Sequence, residues 1–244
     1  MEKTPLVLLP GLLCDETVWQ PQLAEFGSGR QVLVGEFRGF SSFDDMAVSV
    51  LSRAPPRFAL VGHSMGGRVA LEMMRHAPER IDRLALLSTG VHPVLPGEAE
   101  KRQELIELAW RDGIAVLAHN WLPAVLHPSR RADAAFVELL ETMWRRSTPA
   151  IHEGQIRAAL NRLDARPILP NISCPTLVLG GADDPWSPTQ QQREIAAAIA
   201  GAQLTIIPDC GHMVTLECPA ATNEALGQWL AQDPCPYVSR ERSR

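Results

Sequence analysis

Lysine is almost missing from this chain of 244 residues: it occurs at positions 3 and 101, and arginine carries the rest of the positive charge. With 28 acidic against 23 basic side chains the formal net charge is −5, and no basic face of the kind a nucleic acid needs can be drawn. Long hydrophobic runs are missing too. The longest apolar stretches have the length of a strand, which argues against a helical membrane span. The five cysteines, at 14, 174, 210, 218 and 235, are odd in number and form no Cys-x-x-Cys pair. Neither a disulfide framework nor a zinc site is therefore expected, and the thiols are read as reduced. There is no internal repeat and no low-complexity tract. The opening residues, Met1 to Pro5, lead into an apolar run without a signal-peptide pattern, which points to the cytoplasm.

What the chain does contain is enough apolar material, 45% of its residues, for one sizeable core. Six short apolar runs, 6–9, 31–37, 58–63, 81–89, 175–180 and 203–208, read as strands. Between most of them lie stretches of helical periodicity: 19–26, 43–54, 65–76, 188–199 and 219–231. Asp44 and Asp45 open the second of these, where the helix dipole favours acids. Strand and helix in alternation imply right-handed βαβ units and a parallel sheet. The pattern breaks between 90 and 170. No convincing strand occurs there, and helices are expected over 98–112, 113–121, 130–146 and 149–161.

The most informative stretch is Gly62-His63-Ser64-Met65-Gly66-Gly67, placed where the third strand meets its helix. Small residues on both sides let the chain bend sharply and push Ser64 into a strained backbone state. Its hydroxyl is lifted clear of the sheet, and the first amides of the following helix, Met65 among them, point at whatever it attacks.

This turn resembles the nucleophile elbow of the α/β-hydrolase family, in the strand–turn–helix context that defines it. The resemblance runs from Leu6 to about Ala231 and implies an α/β-hydrolase fold. That fold has a six-stranded, mostly parallel sheet, helices on both faces and an inserted helical cap. The core would take 1–90 and 171–233, the cap 91–170, and 234–244 would be a frayed tail. Ser64 becomes the nucleophile. Family position assigns the base to His212, in Gly211-His212 after the last strand. The acid follows the fifth strand in an Asp-x-x-x-Pro frame, which Asp184 and Pro188 fit; Asp183 is the fallback. The oxyanion hole would combine the amides of Leu12 and Met65, although Pro10 stands where the family usually has histidine. His63 is read as a structural companion of the elbow.

The resemblance implies a serine hydrolase acting on a small-molecule carboxylic ester, with no metal or organic cofactor. Lactone hydrolysis, C–C bond cleavage, cofactor-free perhydrolysis and acyl transfer use the same triad. A non-catalytic ligand receptor on this fold is disfavoured because the triad pattern is intact. The residues expected to bind substrate are apolar: Leu13, Trp186, Met213 and, from the cap, Trp110, Trp121 and Trp144. Each cap tryptophan is equally open to being core. With no cation placed beside the motifs, an apolar pocket preferring neutral esters of small to medium acyl chain is expected.

Overall fold

The computed structural model describes residues 3–233. The strands are β1 (Leu6–Leu9), β2 (Val32–Val34), β3 (Phe58–His63), β4 (Ile81–Leu87), β5 (Thr176–Gly181) and β6 (Gln203–Ile207). They form one sheet in the order β2-β1-β3-β4-β5-β6, and every neighbouring pair is parallel. The second strand is shorter than the apolar run 31–37 suggests. The expected tail at 234–244 lies outside the described residues.

Two apolar layers follow from the two-residue period of a strand. Leu6, Leu8, Ala59, Val61, Ala85, Leu87, Leu177 and Leu179 face one core. Val7, Leu9, Phe58, Leu60, Leu84, Leu86 and Val178 face the other. Helices α1 (Gln20–Phe26), α2 (Phe43–Arg53) and α3 (Met65–His76) alternate with the first four strands. Ser42 caps α2 by accepting from the Asp45 amide at 3.3 Å, which places Asp44 and Asp45 in its first turn.

Between β4 and β5 the chain forms α4 (Glu98–Val125), α5 (Pro128–Arg131), α6 (Ala134–Arg145) and α7 (Pro149–Leu160). Gly113, at φ 86°, breaks α4 where two separate helices were expected. Asp133 and Thr148 cap α6 and α7 through the amides of Phe136 and Ile151. Beyond the sheet's fifth strand lie α8 (Thr189–Ala198), the single turn α9 (Val214–Glu217), which sequence reading did not anticipate, and α10 (Pro219–Leu230). Among the described residues no helix is long and apolar enough to cross a membrane.

Parallel register puts the carboxyl ends of the central strands side by side. Leu9 pairs with Gly62, and His63 with Leu87. Backbone bonds carry the ladder one residue further: Ser64 N–H donates to Leu87 O and Ser88 N–H to Leu179 O, each at 2.8 Å. The helix α3 therefore starts hard against the sheet edge. A Cβ on Gly66 would lie 2.1 Å from the Leu9 carbonyl oxygen, and one on Gly62 2.5 Å from the Gly66 oxygen. Both obstacles are backbone, so nothing flexible can give way. Gly66→Ala should cost about 3 kcal/mol or more, read as a fall in the urea midpoint at unchanged slope, or should not fold at all.

Candidate active site

Ser64 sits between β3 and α3 with φ 53° and ψ −115°, a conformation that side-chain-bearing residues rarely adopt. The next turn is locked around it. The Thr89 hydroxyl donates to Ser64 O at 2.7 Å, and Gly67 N–H donates to the same oxygen at 3.0 Å. As the first residue of α3, Met65 has no intrahelical acceptor for its N–H.

The loop after β6 brings His212 to this serine. Nε2 of His212 lies 2.8 Å from Ser64 Oγ, and Nδ1 lies 2.8 Å from Asp184 Oδ2. With a carboxylate on Nδ1, that nitrogen carries the proton and Nε2 is left to accept from the serine hydroxyl. Asp184 is 3% exposed, and its other oxygen accepts the amides of Trp186 at 2.9 Å and Ser187 at 3.0 Å. Burial alone would raise its pKa. The charge and hydrogen bond of His212 and the two amides outweigh burial and hold the carboxyl below its usual range. Asp183 points elsewhere: it lies 3.7 Å from His127 Nε2 and is about half exposed. The aspartate spaced to Pro188 is thus the one that meets His212.

Three further groups hold the histidine loop. His212 N–H donates to Val125 O at 2.9 Å, at the end of α4. Glu217 accepts the amides of His127 at 2.8 Å, Met213 at 2.9 Å and Gly211 at 3.3 Å. His63 is buried with Nε2 2.9 Å from His212 O, so Nε2 carries its proton. Burial, helped by repulsion from His212, pushes the pKa of His63 down to about 4, and the ring stays neutral near pH 7. Its structural reading fits this placement.

The loop after β1 lies over the elbow. A Cβ on Gly11 would come within 3.0 Å of His63 Nδ1 and 3.4 Å of Ser64 Cβ. Leu13 N–H donates to Gln155 Oε1 of α7 at 2.8 Å and Cys14 N–H to Gly11 O at 3.1 Å. The Leu12 amide between them has no acceptor among the described residues, and Leu12 lines the same cavity as Ser64 and Met65. Gln155 is buried and gave no signal in the sequence beyond helical periodicity.

That cavity, about 490 Å³, lies under the helices inserted between β4 and β5. Trp121 and Trp186 line it, with ring centroids 4.4 Å apart, and Trp186 stands 5.3 Å from the His212 ring. Trp144 and Met213 border a smaller recess beside Ser64, which Trp121 and Trp186 also line. Two expected lining residues are not there. Leu13 takes φ 59°, and its side chain packs into the core with Val18 and Trp19. Trp110 is 57% exposed on the outside of α4, where its Nε1 donates to Glu153 Oε2 at 2.8 Å.

The cavity lining is mostly apolar, but the expectation that no cation stands near the site does not hold. Arg68, Lys101, Arg102 and Arg162 line the cavity together with Glu98. Arg68 falls one helical turn after Ser64, so it shares the serine's side of α3, a signal readable from the 3.6-residue period. The others come from the inserted helices, whose docking no local pattern reveals.

A parallel sheet flanked by helices, with a strained serine between strand and helix and a histidine–aspartate pair on later loops, defines a class of hydrolase. The chain belongs to the alpha/beta hydrolase family, whose model matches residues 6–225. Among solved structures it is similar to a thermophilic esterase from Thermogutta terrifontis, solved with malate bound. The TM-score is 0.86 and the identity 29%, over 93% of this chain and 89% of that one. An enol-lactonase from Burkholderia xenovorans shares the fold, with TM-score 0.84 and 24% identity over 94% and 92% of the two chains. In sequence it is 25% identical to 3-oxoadipate enol-lactonase 2 of Acinetobacter baylyi, over 92% of this chain and 88% of the relative.

Three substitutions check the geometry. Asp184→Asn should lower kcat by about ten-thousand-fold, whereas Asp183→Asn should leave it within about tenfold, since only residue 184 fixes the His212 tautomer. Gln155→Leu should lower kcat by about tenfold or more with KM little changed, because it releases the loop that carries the Leu12 amide. All three are read from steady-state kinetics on an aryl ester.

Proposed function

We propose that this protein is a serine hydrolase that cleaves carboxylic esters of small to medium acyl chain through an acyl-enzyme on Ser64. The observation that carries this reading is the unbroken relay from Ser64 Oγ to His212 Nε2 and from His212 Nδ1 to Asp184 Oδ2, each step 2.8 Å. A serine hydroxyl is a weak nucleophile near neutral pH and needs a base as it attacks. His212 takes the Ser64 proton while Oγ bonds to the acyl carbon. Asp184 keeps the imidazole oriented and stabilises its charged form. The carbonyl oxygen, now negative, is held by the amides of Leu12 and Met65, residues that line the cavity with Ser64. Collapse of this intermediate expels the alcohol, and His212 returns the proton to it. Water, activated by the same histidine, then frees the acid.

A lactone follows the same steps, except that the expelled alcohol stays tethered to the acyl group. The similarity to 3-oxoadipate enol-lactonase 2 of Acinetobacter baylyi favours this as the second reading. The helices between β4 and β5 act as a cap that keeps the reacting centre away from bulk water, and the cavity of about 490 Å³ suits a small molecule. The chemistry calls on no metal or organic cofactor.

An active-site fluorophosphonate should add one adduct, on the peptide containing Ser64. Ser64→Ala should abolish labelling and lower kcat by at least about ten-thousand-fold. Labelling on another residue, or undiminished turnover by Ser64→Ala, would sink the assignment.

A further inference from the structure

The charges in the Ser64 cavity do not balance. Arg68, Lys101, Arg102 and Arg162 line it with one carboxylate, Glu98. Glu98 is already shared between Arg102, whose Nε donates at 2.7 Å, and Arg162, whose Nη1 and Nη2 donate at 2.8 and 2.5 Å. Burial opposes its charge, yet these two arginines pull its pKa down to about 2, so it is fully ionised at neutral pH. Arg162 is committed throughout: it also donates to the carbonyls of His92 at 3.0 Å, Ala159 at 2.7 Å and Pro93 at 3.0 Å. That pair ties the segment after α7 to the start of α4 and leaves nothing over for a ligand.

Arg68 differs. Its Nη1 donates to His92 O at 2.9 Å, and among the described residues no carboxylate comes within ion-pair distance of it. Its surroundings oppose its charge. Burial and the neighbouring Arg162, together with Arg102, bring its pKa down to about 9, and Glu98 and Asp164 offset this only in part. Asp164 is itself paired with Arg166 at 2.6 Å, and Glu194 lies 3.8 Å from His92. Arg68 is also the fourth residue of α3, near the positive end of the helix dipole, where a cation is disfavoured. A cation placed beside other cations, half-buried and without a counter-ion, destabilises the empty protein unless an anion arrives from outside.

We propose that Arg68, with Arg102 and Lys101 beside it, binds a carboxylate on the far end of the acyl group whose ester carbonyl sits at Ser64. The substrate class is then esters or lactones of small acids that carry a second carboxylate. This rests on the hydrolase reading above and deepens it. Among the described residues, Arg68 Nε and Nη2 have no acceptor, and that edge of a guanidinium is the fork that a carboxylate takes up in two parallel hydrogen bonds. Leu12, Leu105, Trp121 and Trp186 line the same cavity and suit the methylenes of such a chain. Fixing the far end also orients the carbonyl against the Leu12 and Met65 amides, which raises the rate as well as the affinity.

The test compares two p-nitrophenyl esters of equal length, the glutarate half-ester and the pentanoate, and adds calorimetric titration of the whole protein with glutarate and with inorganic phosphate. Wild type should favour the half-ester in kcat/KM by at least about tenfold. Arg68→Gln should bring that ratio close to one, mainly through KM of the half-ester, and Arg68→Lys should restore part of it, which separates charge from folding. Glutarate should bind wild type, and binding should be lost in Arg68→Gln. A preference for pentanoate in an enzyme whose Ser64 is labelled and active overturns the carboxylate site and leaves the hydrolase standing. So does glutarate binding that ignores Arg68→Gln, or phosphate binding tighter than glutarate. Arg68-dependent glutarate binding without turnover or Ser64 labelling supports the site and sinks the hydrolase instead.

Discussion

The close approach of α3 to the sheet edge is the constraint on which the site depends. The Leu9 carbonyl occupies the space where residue 66 would carry a Cβ, and Gly62 is pressed against the Gly66 backbone in the same way. Only this contact lets a helix begin one residue after a strand ends. It forces Ser64 to φ 53° and starts α3 at Met65, whose amide has no intrahelical acceptor and which lines the cavity. Strain of this kind persists only where the surroundings over-determine it. Here the ladder bond from Ser64 N–H to Leu87 O and the Thr89 hydroxyl on Ser64 O supply that control.

Around this fixed point, loops from distant parts of the chain are fastened by single polar contacts. Several fastenings come from the inserted helices rather than the sheet. Val125 O of α4 receives the His212 amide, and Gln155 of α7 receives the Leu13 amide. The insertion therefore does more than cover the cavity: it positions both the histidine loop and the loop over the elbow. Glu217 adds a third brace, gathering three amides at the turn that carries His212. A buried carboxylate that accepts several backbone donors rigidifies a loop more than an apolar side chain of its size would.

The insertion also sets the electrostatics. One salt bridge, Arg162 with Glu98, joins the segment after α7 to α4 and neutralises itself, while Arg68 of the sheet-bound helix lines the cavity between. Packing thus places Arg68, which no carboxylate pairs among the described residues, in a cavity also lined by Trp121, Trp186, Leu12 and Leu105.

Much of this was legible in the chain alone, because it depends on neighbours in sequence. Strand runs, the Gly113 break in α4 and the small residues around Ser64 are local steric facts, and they carried the fold class and the elbow. The Asp184–Pro188 frame picked the aspartate that meets His212 because the turn after β5 is itself local. The lining of the cavity was not legible. Leu13 and Trp110, read as facing substrate, went to the core and to the solvent, and Arg68, given no role from the sequence, lines the cavity with Ser64. A side chain's direction in space depends on which faces of α4 and α7 dock and on how far a long polar arm reaches. Those are set by packing between segments many residues apart, and only the tertiary structure decides them.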